Sequence, residues 1–285
     1  MKIGFVGLGS IGLPIAINLC KFGYSLRVHT RSRINESNPA LTGSKACSNP
    51  YEAAKDVDVL LLCVTDDHAV NDVLFSKNGA VGSLQDDAIV IDLSTISYLN
   101  SIKIYETLIK KNILYVDSPV TGGTEAAKSG SLTVLVGGNE RELEFIRPIY
   151  NAIAKSVFFF DNIGNGQKVK ALNQILVAGS FASLAEAMAL GQQMQLPLDI
   201  VLDSLKTGAG TSWALEHRAA SMIKGSYPLG FKLELHQKDL KIALEASSKV
   251  GVDMPITQAI YKLEQTLIAL GYGHEDVSAL RRINK

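Results

Sequence analysis

The first half of the chain alternates short apolar runs with stretches of helical spacing. We predict strands at the apolar runs, which are residues 2–6, 24–30, 57–64, 88–92, 113–117, 132–136 and 157–160. The run at 57–64 is apolar almost throughout, as expected for a parallel sheet covered by helices on both faces. Helical spacing at 13–22, 68–75 and 140–154 separates strands. This alternation is typical of a doubly wound α/β sheet.

The second half of the chain has helical spacing alone. Its longest predicted helix is 167–195, which contains no proline and only two glycines, Gly179 and Gly191. Residues 171–185 carry no charge, so we expect this part of the helix to be largely buried. Shorter helices are predicted at 198–205, 212–223, 233–250 and 254–270.

These patterns predict the α/β fold class with two domains. Residues 1–162 are predicted to form a Rossmann-type doubly wound sheet, and residues 163–285 an all-α domain. The long helix joins the two domains. A length of 285 residues fits two domains of medium size.

A glycine-rich turn connects the first predicted strand to the first helix. It reads Gly7, Leu8, Gly9, Ser10, Ile11, Gly12, and its position between strand and helix makes it a dinucleotide-binding signal. In such a turn the first glycine permits a tight bend, the second lets the backbone approach a pyrophosphate, and the third lets helix and strand pack closely. The helix N-terminus then offers free N–H groups to the phosphates.

The end of the second predicted strand indicates which dinucleotide binds. An NAD-specific fold places an acid there for the ribose 2′-hydroxyl, but this chain has no acid before Glu36. It has instead Thr30, Arg31 and Ser32, which can hold a 2′-phosphate, so NADP is favoured and NAD is the alternative. These residues could otherwise form an ordinary solvated basic loop.

Polar residues follow three other predicted strands. Val64 and Thr65 follow one, and Ser94 and Thr95 another, at the strand ends where doubly wound sheets bind ligands. The segment 118–123 follows a third strand and contains Ser118, Thr121, Gly122 and Gly123. Its hydroxyl beside exposed backbone N–H groups suits a carboxylate or another small anion, although a plain glycine turn has the same pattern.

Lys170 opens the long apolar helix and shares one face with Asn173 and Gln174, three and four residues later. One interpretation is a lysine that extends to solvent from the first helical turn. The other is a proton donor at the mouth of a cleft between two domains, with Lys168 as the freer lysine of the same turn. The adjacent Lys238 and Asp239, by periodicity alone, indicate only surface charge.

Composition narrows the class of protein. Net charge is zero, with 28 residues of each sign, which argues against nucleic acid or an acidic membrane surface as the main partner. Three scattered cysteines favour a reducing compartment over a disulfide framework. We find neither a leader pattern nor an apolar run near transmembrane length, and no His/Cys/carboxylate cluster spaced for a metal. We therefore expect a cytoplasmic protein without a metal.

The motifs in this order resemble those of the β-hydroxyacid dehydrogenases, the group of 3-hydroxyisobutyrate dehydrogenase and the tartronate semialdehyde and glyoxylate/succinic semialdehyde reductases. The glycine-rich turn looks like the family's cofactor motif. Residues 117–123 look like its substrate motif, usually Asp-Ala-Pro-Val-Ser-Gly-Gly, although Thr121 replaces the serine. Residues 164–174 look like its catalytic motif and 238–240 like its late cofactor and substrate segment.

The resemblance implies a role for individual residues. Lys170 would be the catalytic lysine, and Asn173 or Gln174 would orient the substrate. The other implied contacts are Thr121, Gly122 and Gly123 with a substrate carboxylate, Thr95 and Lys238 with the nicotinamide side, and Phe231 and Asp239 with the border of the substrate.

The expected activity is NADP(H)-dependent interconversion of a short hydroxy acid and its semialdehyde. The Asn173-Gln174 pair and residues 235–240 resemble tartronate semialdehyde reductases, which favours that substrate type over 3-hydroxyisobutyrate. A non-catalytic dinucleotide-binding sensor or scaffold is the rival from another class, but its motifs would be degraded. The apolar helical half also suggests a homodimer or homotetramer.

Overall fold

The computed structural model describes residues 1–141 and 143–284, and the chain divides into two compact units, 1–170 and 171–285. A six-stranded sheet organises the first unit. Its strands are β1 (Ile3–Val6), β2 (Leu26–His29), β3 (Lys45–Ala46), β4 (Val59–Leu62), β5 (Ile89–Asp92) and β6 (Leu114–Asp117). They are parallel, in the order β3-β2-β1-β4-β5-β6, which confirms the predicted doubly wound sheet. The direction of winding reverses between β1 and β4, where such folds bind ligands.

The two faces of this sheet are covered by two different hydrophobic clusters. Successive strand residues point to opposite faces, so Val59 and Leu61 belong to one cluster and Leu60 and Leu62 to the other. All four residues of β4 are buried. The apolar run predicted at 57–64 is therefore explained by burial on both sides.

The helices of the first unit are α1 (Gly12–Lys21), α2 (Pro50–Ala54), α3 (Asp67–Phe75), α4 (Tyr98–Leu108), α5 (Gly123–Ser129) and α6 (Arg147–Asn151). Sequence analysis missed the short α2, which has Asn49 as N-cap, and also missed α4, which has Ser97 as N-cap. The helix predicted at 140–154 is wrong in length. A 3₁₀ turn precedes α6, and Pro148 lies in the first turn of α6, where its missing N–H is tolerated.

A small second sheet completes the first unit. It consists of β7 (Val120–Thr121), β8 (Leu132–Val136) and β9 (Ala154–Phe159). β7 is antiparallel to β8, and β8 is parallel to β9. Strand β7 is part of the predicted substrate loop that follows β6. Its pairing with β8 therefore holds this loop in place.

The second unit is helical, as predicted. Helix α7 (Asn165–Gln193) runs from the first unit into it and is followed by α8 (Leu198–Lys206), α9 (Trp213–Ile223), α10 (Leu233–Val250) and α11 (Pro255–Ala269). A 3₁₀ segment, Val277–Ile283, follows. There Arg281 donates to Gln192 at 2.6 Å and Arg282 to Glu275 at 2.7 and 3.0 Å, so these two basic residues tie the unit together.

Helix α7 is less buried than its lack of charge predicted. Phe181 and Met188 lie in the core of the second unit, but Leu172 and Leu176 are 61% and 74% exposed. By length and composition α7 could also cross a membrane, so the expectation that no apolar run approaches that length was wrong. This is weak evidence for a span, since core helices of soluble proteins meet the same criteria.

Candidate active site

The glycine-rich turn has the geometry that a dinucleotide needs. Gly7 has a φ of 106°, and a Cβ there would lie 2.2 Å from the carbonyl oxygen of Cys63. A Cβ on Gly12 would lie 1.9 Å from the carbonyl oxygen of Gly7. A Cβ on Gly9 would meet no atom within 4 Å, so the backbone there is open to an approaching group. Each glycine thus meets the requirement that its position predicts, and the residues fit the cofactor.

The rest of this turn presents its backbone to a ligand. Helix α1 begins without a side-chain cap at Ile11, which leaves its first N–H groups for a phosphate. Ser10 is exposed, while Leu8 is buried. The side-chain amide of Asn35 donates to the Leu8 carbonyl at 2.7 Å and so connects the turn to the segment after β2.

The segment after β2 contains an acid that sequence analysis placed beyond the site. Glu36 folds back so that one carboxylate oxygen accepts the Thr30 N–H at 2.8 Å and the other pairs with Arg33 at 2.8 Å. Arg31 and Ser32 are exposed. The strand end therefore holds an acid after all, although its side chain is only 4% exposed. A search of the sequence for an acid directly after β2 could not reveal that Glu36, six residues beyond Thr30, folds back to the strand end.

Ser94 joins the ends of β4 and β5. Its hydroxyl accepts the N–H of Val64 at 2.9 Å, and its own N–H donates to Asp92 at 2.9 Å. Asp92 also accepts a bond from the Tyr115 hydroxyl, and burial raises the pKa of this carboxyl to about 6. Thr65 is exposed and Thr95 is half-buried. The two predicted strand-end segments are thus tied to each other.

Asp117, at the end of β6, holds the beginning of α7. Its two carboxylate oxygens accept the N–H groups of Gly164 and Gln167 at 2.7 and 3.0 Å. Burial raises the pKa of Asp117 to about 7, although these two N–H groups oppose that rise. A Cβ on Gly166 would lie 2.3 Å from the Leu135 carbonyl oxygen and 2.9 Å from this carboxylate, and a Cβ on Gly137 would lie 2.2 Å from it. Both glycines are therefore needed for the close approach.

The side chain of Gln167 provides a second attachment of the first turn of α7, in addition to the bonds made by Asp117. Its side chain accepts the N–H of Ile96 at 3.1 Å and donates to the Ser94 carbonyl at 2.8 Å. Lys170, three residues further on, is 6% exposed. Lys168 is exposed and donates to Asn165 at 2.9 Å. The helix that carries Lys170 is therefore held to the ends of β5 and β6 by four hydrogen bonds.

The predicted anion loop divides into a buried and an accessible part. Ser118 is fully buried, and its hydroxyl lies 2.7 Å from that of the equally buried Tyr150, so its side chain belongs to the core. Thr121 is half-buried in β7. Gly122 and Gly123 both have positive φ, 126° and 68°, which turns the backbone there as no other residue readily does. The accessible donors are therefore at 121–123.

In the second unit four predicted site residues form one chain of polar contacts. Asn173 donates to Gln174 at 2.8 Å, Gln174 donates to Asp239 at 2.7 Å, and Lys238 pairs with Asp239 at 2.8 Å. Gln174 and Asp239 are 2% and 3% exposed. Lys238 and Asp239, which periodicity placed on the surface, are thus tied to α7.

A buried pair, His236 on α10 and Glu264 on α11, lies beside this chain of contacts. The His236 Nδ1 atom is 2.6 Å from the carboxylate of Glu264, and both side chains are 0% exposed. Burial lowers the pKa of His236, but Glu264, together with Asp239 and a backbone hydrogen bond to Gln174, raises that pKa overall. The ring of Phe231 packs edge-on against His236 at 5.6 Å. Sequence analysis missed this pair, because its partners are 28 residues apart.

Asp276 fixes the backbone at Phe231. One of its oxygens accepts the N–H groups of Gly230 and Phe231, each at 2.9 Å. The other accepts the N–H and hydroxyl of Ser278, and Arg218 lies 3.5 Å from it. Phe231 is thus held by a residue near the end of the chain.

Within residues 1–141 and 143–284, no group of three or more His, Cys, Asp or Glu side chains is arranged to hold a metal ion. The polar clusters described above are the carboxylate of Asp117 with its two N–H donors, the chain from Asn173 to Lys238, and the His236–Glu264 pair.

Comparisons with known proteins agree with this arrangement. Residues 2–164 match the family model of the NAD binding domain of 6-phosphogluconate dehydrogenase. Residues 164–283 match that of the NAD-binding region of NADP-dependent 3-hydroxyisobutyrate dehydrogenase. Among curated relatives, 2-(hydroxymethyl)glutarate dehydrogenase of Eubacterium barkeri is 32% identical over 284 residues, with 99% of this chain and 94% of the relative covered.

Two further proteins are similar over nearly their whole length. The 2-hydroxy-3-oxopropionate reductase of Escherichia coli (strain K12) is 32% identical over 280 residues, which are 98% of this chain and 96% of the relative. The crystal structure of 3-hydroxyisobutyrate dehydrogenase from Salmonella typhimurium has a TM-score of 0.90 at 29% identity, with 99% of each chain covered. The chain therefore belongs to the β-hydroxyacid dehydrogenase family and is an NAD(P)-dependent oxidoreductase that acts on CH–OH groups.

Proposed function

We propose that this protein is an NADP(H)-dependent reductase of a short semialdehyde acid, of the tartronate semialdehyde, glyoxylate or succinic semialdehyde type. The observation that carries the proposal is Lys170, a buried amine on a helix whose first turn is held by Asp117 and Gln167. A buried amine on a rigidly held helix can be kept in one position for proton transfer. The relative named 2-hydroxy-3-oxopropionate reductase supports this substrate class.

The nicotinamide, when bound, supplies or accepts the hydride at the substrate carbon. The protein's part is to move the proton. In reduction Lys170 Nζ donates a proton to the oxygen that becomes the hydroxyl group. In oxidation the neutral amine takes that proton back.

The substrate carboxylate is assigned to the loop after β6. Thr121 offers a hydroxyl, and Gly122 and Gly123 offer backbone N–H groups at the start of α5. Ser118 contributes through its backbone, since its hydroxyl is bonded to Tyr150.

The remaining site residues position the substrate and the cofactor. Asn173 and Gln174 orient the substrate, with Gln174 held by Asp239. Thr95 and Lys238 line the nicotinamide side, and Phe231 borders the substrate. Val64 and Thr65 complete the cofactor segment at the end of β4. Residues 1–162 would hold the cofactor, and 163–285 would serve substrate binding and assembly.

A 3-hydroxyisobutyrate dehydrogenase is the second candidate, and the similarity to the Salmonella typhimurium structure supports it. A non-catalytic sensor is less well supported, because it would have no use for the buried Lys170. The exposed Leu172 and Leu176 favour the proposed homodimer or homotetramer. Light scattering coupled to size-exclusion chromatography tests the assembly, and cell fractionation tests the proposed cytoplasmic location.

The deciding experiment is a steady-state panel. NADPH and NADH oxidation would be measured with glyoxylate, tartronate semialdehyde, succinic semialdehyde and methylmalonate semialdehyde. We expect the highest kcat/KM with NADPH and one of the first three substrates. Turnover of methylmalonate semialdehyde alone would select the second candidate, and no turnover of any of the four would exclude both substrate candidates.

A further inference from the structure

Glu36 is a buried carboxylate at the end of β2, and both of its oxygens are engaged. One accepts the Thr30 N–H at 2.8 Å and lies 3.3 Å from His29 Nδ1. The other lies 2.8 Å from Arg33 Nε. With its side chain 4% exposed, Glu36 faces the chain and not the solvent. A ribose hydroxyl could not reach a carboxylate buried in this way, so its role differs from that of the usual ribose-binding acid.

The two arginines of this turn are therefore unequal. Arg33 is paired with Glu36 and has a φ of 62°, a left-handed conformation that few side chains adopt without support. Arg31 is exposed and makes no hydrogen bond or ion pair with any residue of the part of the chain that the structure describes. Ser32, beside it, is exposed as well. Because Glu36 neutralises Arg33, only one of the two arginines near the expected 2′-phosphate position, Arg31, has no carboxylate beside it among the described residues.

We propose that Glu36 is a specificity-determining residue that limits the preference for NADP over NAD. By holding Arg33, it leaves Arg31 and Ser32 as the groups available to a 2′-phosphate. A phosphate monoester carries about 1.5 to 2 negative charges near pH 7, so the loss of an available cation weakens its binding. The 2′-hydroxyl of NAD carries no charge and is indifferent to that loss. This inference rests on the proposed use of NADP(H).

The test uses two fragments that differ only in the 2′-phosphate. Calorimetry on the cofactor-free protein would compare 2′,5′-ADP with 5′-AMP, so no turnover is needed. The variant Glu36→Gln keeps an oxygen for the Thr30 N–H and removes the charged partner of Arg33, which retains its bond to the Ser48 carbonyl at 2.9 Å. We expect 2′,5′-ADP to bind at least about threefold more tightly, a modest figure because Arg33 is half-exposed, and 5′-AMP to bind unchanged.

Two controls separate the release of Arg33 from a general change of charge. In the double variant Glu36→Gln/Arg33→Met the gain for 2′,5′-ADP should vanish relative to Arg33→Met alone. Glu52→Gln removes another carboxylate of the first unit that lies near an arginine, Arg27 at 3.7 Å, and should change neither affinity. A gain that persists without Arg33, or equal tightening of both fragments, would overturn the proposal.

A pair of arginine variants keeps the test decisive if Glu36→Gln does not fold. Arg31→Met and Arg33→Met remove the same charge from the same turn. The loss of 2′,5′-ADP affinity should be at least about threefold greater for Arg31→Met, and equal losses would contradict the inference. If instead the protein does not prefer NADP at all, the unmodified protein would bind 2′,5′-ADP and 5′-AMP equally well, which distinguishes that outcome from an error about Glu36.

Discussion

The side-chain amide of Gln174 donates a 2.7 Å hydrogen bond to the carboxylate of Asp239, which lies on another helix 65 positions further along the chain. Both side chains are buried, so a water molecule cannot take the place of either hydrogen-bond partner. The pair thus couples α7 to α10 and holds the amide of Gln174 in a single orientation.

This pair gives the first prediction. Asp239→Leu leaves the Gln174 amide buried without an acceptor, so the second unit should lose about 1–3 kcal/mol of unfolding free energy. Asp239→Asn keeps an acceptor and should lose less. Urea unfolding followed by the fluorescence of Trp213, which lies in the second unit, measures both. Equal stability of Asp239→Leu and the unmodified protein would show that the bond is unimportant.

The second prediction concerns the two lysines at the start of α7. Lys170→Ala should lower kcat at least about a hundredfold, because general acid catalysis contributes about 10²–10⁴. Cofactor affinity should be nearly unchanged. Lys168→Ala is the matched control, since Lys168 is exposed and should be nearly silent. Similar losses in both variants would remove the catalytic role of Lys170.

The third prediction is a pH dependence that originates at Asp117. Burial raises the pKa of this carboxyl to about 7, so the protonated form is favoured in the folded protein. A raised pKa contributes stability that is complete below the unfolded value of 3.8 and is lost as pH rises towards about 7. Thermal unfolding midpoints between pH 5 and pH 8 should therefore fall, and Asp117→Asn should flatten that fall.

Asn at position 117 also leaves one N–H of the α7 turn without an acceptor, so the variant should be less stable at low pH. The slope with pH, and not stability at one pH, is the informative measurement. Asp58→Asn is the control, because Asp58 is exposed and accepts the Lys2 N–H. A slope unchanged by Asp117→Asn would assign the pH dependence to other groups, Asp92 first among them.

The fourth prediction concerns the buried pair of the second unit. Glu264 raises the pKa of His236, so its contribution is complete below about pH 6.5 and is lost as pH rises through the folded value. Glu264→Gln should therefore cost about 3–5 kcal/mol at pH 6 and distinctly less at pH 9. Glu245→Gln, in an exposed pair, should cost little at either pH. A cost independent of pH would indicate that His236 stays neutral.

The fifth prediction tests the carboxylate loop. Thr121→Val removes the hydroxyl and keeps the volume, so KM for the acid substrate should rise by a larger factor than kcat falls. Steady-state kinetics with the best substrate of the panel measures both. A neutral aldehyde of similar size should be a poor substrate, and its efficient turnover would exclude the loop from this role.

Sequence patterns predicted the order of the main elements and the residues with local signals. Lys170, Asn173 and Gln174 could be grouped because helical spacing places them together, and the bounds of α10 were predicted correctly. Glu36, His236 and Asp276 could not be found this way. Their partners depend on how distant segments meet, as for the 28 residues between His236 and Glu264. The exposure of Leu172 and Leu176 was also not predicted, because the absence of charge in a helix does not show which of its side chains are exposed.

The position of Asp117 limits how the enzyme could be redesigned for new substrates. This one residue ends β6, precedes the loop at 118–123 and accepts two N–H groups from the helix that carries Lys170. A redesign of this loop that also replaced Asp117 would therefore release the start of α7 and displace Lys170 while it changed the specificity. Libraries that vary positions 119–121 and keep Asp117, Gly137 and Gly166 fixed should yield altered specificity with chemistry intact.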